Sequence, residues 1–264
     1  MTIAPEAAPT ARPSGDPPPF MSVVLPAYNE EARLPAGLES VTAFLARQPF
    51  AGEIVVADDG SRDRTAEIAR ERMAALPANV SMRLVRHDRN RGKGAAIRTG
   101  VLAASGRYVF FVDADLATPV EESLKLLDEL KRGAPVVAGS RIQPDGSDMR
   151  ASQPARRRLA GRMFTMMRKA MRVLPDIDDT QCPMKGFEHE AAQAIFREQK
   201  LSGWIFDAEV LYIARSFGYG VVSVPVTWRH VDGSRLNVRP QQAWEVTRDL
   251  VRLRFLHRRK PPQK

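Results

Sequence analysis

The sequence predicts an α/β protein built on a largely parallel sheet with helices on both faces. Two observations carry that expectation. Apolar segments of strand length alternate with segments of helical periodicity from Met21 to Gly139, the pattern of successive strand-helix units. Two of the apolar segments also end abruptly in acidic turns, Asp58-Asp59-Gly60-Ser61 and Asp113-Ala114-Asp115. In open α/β sheets, ligands collect in the crevice beyond the carboxyl ends of the strands.

Residues 1–20 contain Pro5, Pro9, Pro13, Pro17, Pro18 and Pro19 and few large apolar side chains, so they are expected to form a disordered tail and lack the apolar core of a signal peptide. Met21 to Leu25 is the first strand. It leads through Pro26-Ala27-Tyr28-Asn29-Glu30 into a helix with Leu34, Leu38, Val41 and Leu45 on one face. Glu53 to Ala57 is the second strand, followed by Asp58-Asp59-Gly60-Ser61 and a charged helix through Ile68 and Met73. Val80 to Arg86 is the third, after which Asn90-Arg91-Gly92-Lys93-Gly94 opens a helix through Ile97 and Val101. Tyr108 to Val112 is five β-formers in succession, the mark of a central strand covered on both faces, although periodicity alone equally allows a buried helical segment. Pro135 to Gly139 gives a fifth strand, ending in Ser140-Arg141.

Three strand ends thus bring Tyr28, Glu30, Asp58, Asp59, Asp113 and Asp115 to one edge. Acids and an aromatic gathered there suit a nucleotide: carboxylates accept from base and ribose, a tyrosine packs on a base, and a hard cation offsets diphosphate charge. Asp113 and Asp115 are the pair suited to such a cation. The alternative is structural: the same acids cap the helix that starts at Thr118-Pro119, Asp59-Gly60 makes a turn, and Asn29-Glu30 caps a helix. Gly92-Lys93-Gly94 lacks the frame of a Walker A loop and reads as a turn carrying Arg91 and Lys93 toward an anion or into solvent.

At 264 residues the chain is long enough for one large domain or one domain with an appendage. A single cysteine, Cys182, excludes an intramolecular disulfide and fits a reducing, cytoplasmic setting. No run approaches the roughly 18 apolar residues of a membrane span, so any membrane contact is expected to be peripheral. The net charge of +9 is unevenly spread: 17 basic against 18 acidic residues up to Ser140, and 23 against 13 from Arg141 onward. The second half is therefore expected to meet an acidic partner or surface, or else to be a solvated basic face. Its arginines interleave with Met and Leu and not with stacking aromatics, which argues against nucleic acid.

Four motifs together resemble the family 2 glycosyltransferases of the GT-A fold, a Rossmann-like architecture: Val23 to Glu30, Asp58-Asp59-Gly60-Ser61 with Asp63, Asn90 to Gly94, and Asp113-Ala114-Asp115. In the second half, Gly139-Ser140-Arg141, Asp179-Thr180-Gln181-Cys182, Trp204 to Glu209 and Gly233-Ser234-Arg235-Leu236 resemble the dolichyl-phosphate glucosyltransferase branch. The resemblance implies a nucleotide-sugar donor near Pro26, Tyr28, Glu30, Asp58, Asp59, Lys93, Asp113 and Ala114. It implies Mg²⁺ or Mn²⁺ on Asp113 and Asp115, with Asp115 the principal ligand. It also implies a polyprenyl-phosphate acceptor approached by Arg141, Arg158, Arg229 and Arg235, with Asp179, Asp207 and Arg141 serving the reaction. The expected activity is inverting transfer of glucose from UDP-glucose; mannose transfer from GDP-mannose and a catalytically idle donor-binding adaptor at a membrane are the alternatives. Pro183 and Met184 depart from the branch, where Gly and Phe are usual, as does Arg235 in place of Lys, and no counterpart of the N-terminal anchor of its eukaryotic members is expected in residues 1–20.

The implied organisation is a tail over 1–20, a transferase domain over 21–238 with a donor half (21–140) and an acceptor half (141–238), and a basic amphipathic helix and tail over 239–264. Leu159 to Leu174 reads as a helix with Leu159, Met163, Met166, Met167, Ala170, Met171 and Leu174 on one face and Arg162, Arg168, Lys169 and Arg172 outside it. Gln241 to Arg259 repeats the pattern with Trp244, Leu250, Leu253 and Phe255. Such segments either face the core or lie on the cytoplasmic face of a membrane as a peripheral anchor.

Overall fold

The structure, a computed structural model, describes residues 17–229 and 240–257, apart from the side chains of 240–244 and 254. Strand β1 (Met21–Ala27) lies between β2 (Gly52–Asp58) and β4 (Tyr108–Val112), parallel to both. Outside β2 runs β3 (Val80–Arg86), again parallel. Beyond β4 the direction changes. β6 (Met184–Glu188) is antiparallel to β4 on one side and to β5 (Val136–Ser140) on the other, and β7 (Val221–Pro225) runs parallel to β5 at the edge. The order is β3-β2-β1-β4-β6-β5-β7.

The helices are α1 (Leu34–Ala46), α2 (Thr65–Met73), α3 (Lys93–Ala103), α4 (Ser123–Lys131), α5 (Ala155–Ala170), α6 (His189–Glu198), α7 (Phe206–Ser216) and α8 (Pro240–Leu256). Alternate side chains of the central strands enter opposite layers, as the two-residue period requires. Val24, Val55 and Phe111 pack with α3, α6 and α7 on one face. Val23, Leu25, Ile54, Phe110 and Val112 pack with α1 and α4 on the other. Both faces being covered explains why Tyr108–Val112 is apolar throughout, and its pairing settles it as a strand. The expected face of α1 (Leu34, Leu38, Val41, Leu45) is buried in full. Phe111 anchors an aromatic cluster with Phe187, Phe196 and Phe206, at centroid separations of 6.1, 6.3 and 5.9 Å.

Two expectations about the second half need correction. The helix expected over 159–174 starts at Ala155 and stops at Ala170, because Arg172 and Leu174 take left-handed backbone angles (φ 54° and 48°). Arg168, expected outside, is completely buried. Its guanidinium donates to the carbonyls of Val173 (2.8 Å), Leu174 and Ile177 (2.5 Å), gathering the turn by which the chain leaves the helix. Burial without a carboxylate partner lowers the Arg168 pKa. The apolar face of α5 is also divided. Phe164, Met167 and Met171 pack on the core, whereas Leu159, Met163 and Met166 are 61, 58 and 66 % exposed.

Candidate active site

The reversal of β6 decides what reaches the functional edge. The carboxyl ends of β1, β2, β4, β5 and β7 open there, and so does the amino end of β6, since Met184 pairs with Val112. That brings Asp179 to Cys182 alongside Tyr28, Asp113 and Arg141.

On the donor side, Asn29 has a left-handed backbone (φ 50°), and its amide donates to Ser61 Oγ at 2.9 Å while its side-chain oxygen accepts from Arg62 N at 2.8 Å. The turns after β1 and β2 are thereby tied together, leaving Pro26, Tyr28 and Glu30 half-buried at the rim. Both Glu30 oxygens receive the Arg33 guanidinium at 2.6 Å. That bond, opposed by partial burial and aided by the charges of Glu30, Asp115 and Asp113, raises the Arg33 pKa. Asp58 and Asp59 lie below the surface of the edge. Asp58 Oδ1 accepts from Ser61 N (2.9 Å), and Oδ2 is 2.9 Å from Arg86 Nε. Asp59 receives Arg91 N (2.9 Å) and Gly92 N (2.8 Å) and lies 2.7 Å from His87 Nδ1, so it fastens the turn that carries Lys93.

Lys93 Nζ reaches Asp113 Oδ1 at 2.5 Å. Burial would lower the Lys93 pKa, but the carboxylates of Asp113, Asp207 and Asp115 outweigh it and raise the value. Asp115 sits two residues on, in a turn closed by Leu116 N to Asp113 O (3.0 Å), and accepts from Ala117 N at 3.1 Å. Burial and the adjacent Asp113 charge raise the Asp115 pKa. Ala114 packs against α1 at Gly37, where a Cβ would fall 2.5 Å from the Ala114 carbonyl oxygen. The acids therefore form a turn held from below, and the capping alternative gains no side-chain bond to the helix at Ser123.

On the opposite side, Arg141 Nε and Nη2 each lie 2.7 Å from an oxygen of the buried Asp179, and Arg141 N donates to the same carboxylate at 2.9 Å. Burial alone would raise the Asp179 pKa, but the Arg141 guanidinium and its bonds hold it at about 2. Arg150 Nη1 lies 3.9 Å from Asp179 and Arg141 stacks 5.7 Å from the Trp228 ring centroid. Between the turn at Asp148 and α5 is an open cavity of about 350 Å³, whose walls include Arg150, Arg157, Arg158, Arg162, Asp178 and Met166. Arg229 is exposed, with its amide bonded to Ala117 O at 2.8 Å beside the Asp115 turn. Arg235 lies outside the described residues, as do the Gly233-Ser234-Arg235-Leu236 motif, residues 1–16 of the tail, and Arg258 and Arg259.

Asp207 and Lys185 form a buried ion pair under the edge, and Lys185 Nζ also donates to Cys182 O at 2.9 Å. Burial raises the Asp207 pKa against the opposing charges of Lys185 and Lys93. Lys185, Arg33, Arg150 and Arg157 are not among the residues expected at the site, and Arg162 is expected only on the polar side of a helix. The arginine run 156–158 and the i,i+3 spacing of Glu30 and Arg33 are the available signals; nothing in the order of residues marks Lys185.

Residues 22–196 match the profile of Glycosyl transferase family 2. The chain belongs to this family. Among curated relatives, the dolichyl-phosphate beta-glucosyltransferase of Dictyostelium discoideum is 34 % identical over 245 residues, covering 89 % of this chain and 74 % of the relative. The human dolichyl-phosphate beta-glucosyltransferase is 33 % identical over 251 residues, covering 89 % and 76 %. The fold matches glucosyl-3-phosphoglycerate synthase from Mycobacterium tuberculosis with a TM-score of 0.64, covering 92 % of this chain and 80 % of that one at 19 % identity. That synthase was solved in complex with Mn²⁺, uridine diphosphate and glucosyl-3-phosphoglycerate.

A divalent cation fits this family 2 transferase at the Asp113-Ala114-Asp115 turn. Asp115 carries a pKa raised by burial and by a neighbouring like charge, the condition a bound cation relieves. Among the described residues no cluster of three or more His, Cys, Asp or Glu side chains is placed to hold an ion. Mg²⁺ sites commonly use only one or two carboxylates and take the remaining ligands from water and substrate phosphate, so two acids are sufficient.

The Arg141–Asp179 pair gives the transferase a measurable acid limit. Asp179 has a folded pKa of about 2 against an ordinary 3.8. A depressed carboxyl contributes stability that is present above its unfolded pKa and is lost as pH falls through the folded one. The contribution is about 2 kcal/mol. Urea midpoints between pH 5 and pH 2 are expected to fall less steeply for Asp179→Asn than for the parent; equal slopes would remove Asp179 from the acid response.

Proposed function

We propose that this transferase moves glucose from UDP-glucose to the phosphate of a dolichyl-type polyprenyl phosphate, with inversion at the anomeric carbon, on the cytoplasmic surface of a membrane. The observation that carries the reading is the pairing of two unlike faces across one sheet edge. The acid turn at Asp113 and Asp115 and the Arg141–Asp179 pair lie at the same sheet edge, and Arg150, 3.9 Å from Asp179, leads from that pair into a cavity walled by arginines and by Met166, on the helix that also exposes Leu159 and Met163. A lipid phosphate needs both, cations for its head and an apolar landing for its tail. The relatives named for glucosyl transfer to dolichyl phosphate support the same choice of sugar and acceptor.

In this reading Pro26, Tyr28 and Glu30 form the rim beside the nucleoside, Asp58 and Asp59 fix the turns beneath it, and Lys93 and Ala114 lie along the diphosphate. Asp113 and Asp115 would hold Mg²⁺ or Mn²⁺, which neutralises charge on the departing nucleoside diphosphate. Asp179 holds the Arg141 guanidinium in one orientation, and Arg158 and Arg229, with Arg235, complete the cationic approach to the acceptor. A phosphate monoester, whose second pKa is about 6, is already largely ionised at neutral pH, so the attack needs little help from a base. The work left to the chain is positioning and electrostatic stabilisation. Asp207, kept beneath the edge by Lys185, is placed to orient sugar hydroxyls through its neighbourhood with Lys93 and Asp113.

The test is transfer of radiolabel from UDP-glucose and GDP-mannose to a short polyprenyl phosphate and to a soluble hydroxyl acceptor. Glucosyl lipid is expected. A mannosyl lipid, or product on the soluble acceptor alone, would overturn the assignment.

Membrane contact has its own readout, because no helix among the described residues is long and apolar enough to cross a bilayer. Each basic side chain near an anionic surface contributes on the order of 1 kcal/mol, reduced by salt. Flotation with anionic vesicles is expected to fall as salt rises and to fall further in Met163→Glu/Met166→Glu. Flotation indifferent to both would place the stripe at another interface.

A further inference from the structure

We infer that Trp204 is the platform against which the donor's hexose ring lies, and that its indole face favours a pyranose with every hydroxyl equatorial. The inference rests on the reading of the chain as a sugar-nucleotide transferase given above.

Trp204 is 37 % exposed, while Leu201, Ile205 and Phe206 around it are buried. It belongs to neither hydrophobic cluster of the sheet faces. Yet its backbone is firmly held. Gly94 N donates to Ser202 O at 2.8 Å, and Gln199 Nε2 donates to Gly94 O (2.9 Å) and Leu201 O (3.0 Å). The amides of Lys200 and Leu201 donate to the buried Glu209 at 2.9 and 2.8 Å. At Gly92, φ is 104° and a Cβ would lie 2.5 Å from Ser202 O, so the two turns touch backbone to backbone. An exposed aromatic ring on so fixed a loop is presented, not merely left over.

What it is presented to follows from Lys93. Lys93 Nζ stands 5.9 Å from the Trp204 ring centroid and 2.5 Å from Asp113 Oδ1. One ammonium therefore bridges the indole and the acid turn, which puts the ring within a hexose's reach of the diphosphate position. The negative π-face of an aromatic ring attracts positively polarised hydrogens. In a donor that reacts with inversion to a β-glucoside the diphosphate leaves C1 axially on one face of the ring; the opposite face carries the axial C–H bonds of C2 and C4, and the free hydroxyls lie around the rim. The C4 epimer turns one hydroxyl onto a face, where it would be stripped of water against the indole without a partner.

The experiment compares the parent chain with Trp204→Ala and Trp204→Phe, using UDP-glucose and UDP-galactose with a short polyprenyl phosphate. Binding of UDP and UDP-glucose is read by calorimetry. Trp204→Ala is expected to lose roughly 10- to 100-fold in kcat/KM for UDP-glucose, to bring the two sugars close to parity, and to bind UDP as before; Trp204→Phe keeps most of the preference. Vesicle flotation is expected not to change. An unaltered glucose-to-galactose ratio in Trp204→Ala, equal loss of UDP and UDP-glucose affinity, or a change confined to flotation would overturn the inference. A parent chain that transfers no hexose from either donor would overturn the underlying functional reading, and that failure appears in the parent arm alone.

Discussion

Asp115→Ala is expected to reduce sugar transfer by about 100- to 1,000-fold or more, the scale of removing one group that stabilises developing charge, without weakening the fold. Asp115 lies past the end of β4, outside both hydrophobic clusters, and among the described residues it accepts a hydrogen bond from Ala117 N. Its pKa is raised, and for a carboxyl that sign means the charged form costs stability at neutral pH. Removing it relieves the repulsion with Asp113, so the urea midpoint should stay level or rise. Transfer rates, midpoints and Mn²⁺ binding by equilibrium dialysis in the presence of UDP separate the roles. Near-parental turnover would take Asp115 out of the reaction, and a fallen midpoint would make it a structural cap.

Lys185→Met is expected to be the most destabilising single change near the site. Lys185 is fully buried on β6, paired with Asp207, bonded to Cys182 O and 5.3 Å from the Phe111 ring centroid. Breaking a buried pair by removing one partner costs about 3–5 kcal/mol, because the other charge stays behind without compensation. In a chain of this size that is roughly 10 °C in Tm. The double variant Lys185→Met/Asp207→Leu should recover much of the loss, since a buried pair contributes little over an apolar replacement. Equal Tm values for the single and double variants would show that Asp207 finds another partner.

The donor half was readable in the sequence because its strands obey simple rules. Tyr108–Val112 is apolar at every position since both faces are covered, and the carboxylates after β2 and β4 stand where the chain leaves the sheet. The acceptor half obeys fewer of them. Met-Lys-Gly-Phe-Glu does not read as a central strand: Gly186 is there because the Phe110 ring leaves no room for a Cβ, and Lys185 is there because Asp207 waits 22 residues later. Neither reason is local. Val221–Pro225 goes unread as a strand although valine favours one, and its parallel partner, β5, is far away in sequence. Arg168 was misplaced for a related cause: helical periodicity assigns a side chain to a face but is blind to carbonyls that the following turn leaves unpaired. At the site, residue types drew attention to the acids and the family resemblance to Arg141, while the ion pair that orients Arg141, with Asp179, joins positions 38 residues apart that only the fold brings together.

The single thiol offers a way to time local opening beside this sheet. Cys182 is fully buried beside β5, where its Sγ would meet a Cβ on Gly139 at 2.9 Å, and burial together with the Asp179 charge pushes its pKa up to about 12. A native thiol so protonated and so enclosed does not react with a disulfide reagent, since only the exposed thiolate is a nucleophile. Every labelling event therefore counts an excursion that uncovers the segment leading into β6. Under native conditions the labelling rate, divided by that of the unfolded chain, gives the free energy of that opening directly.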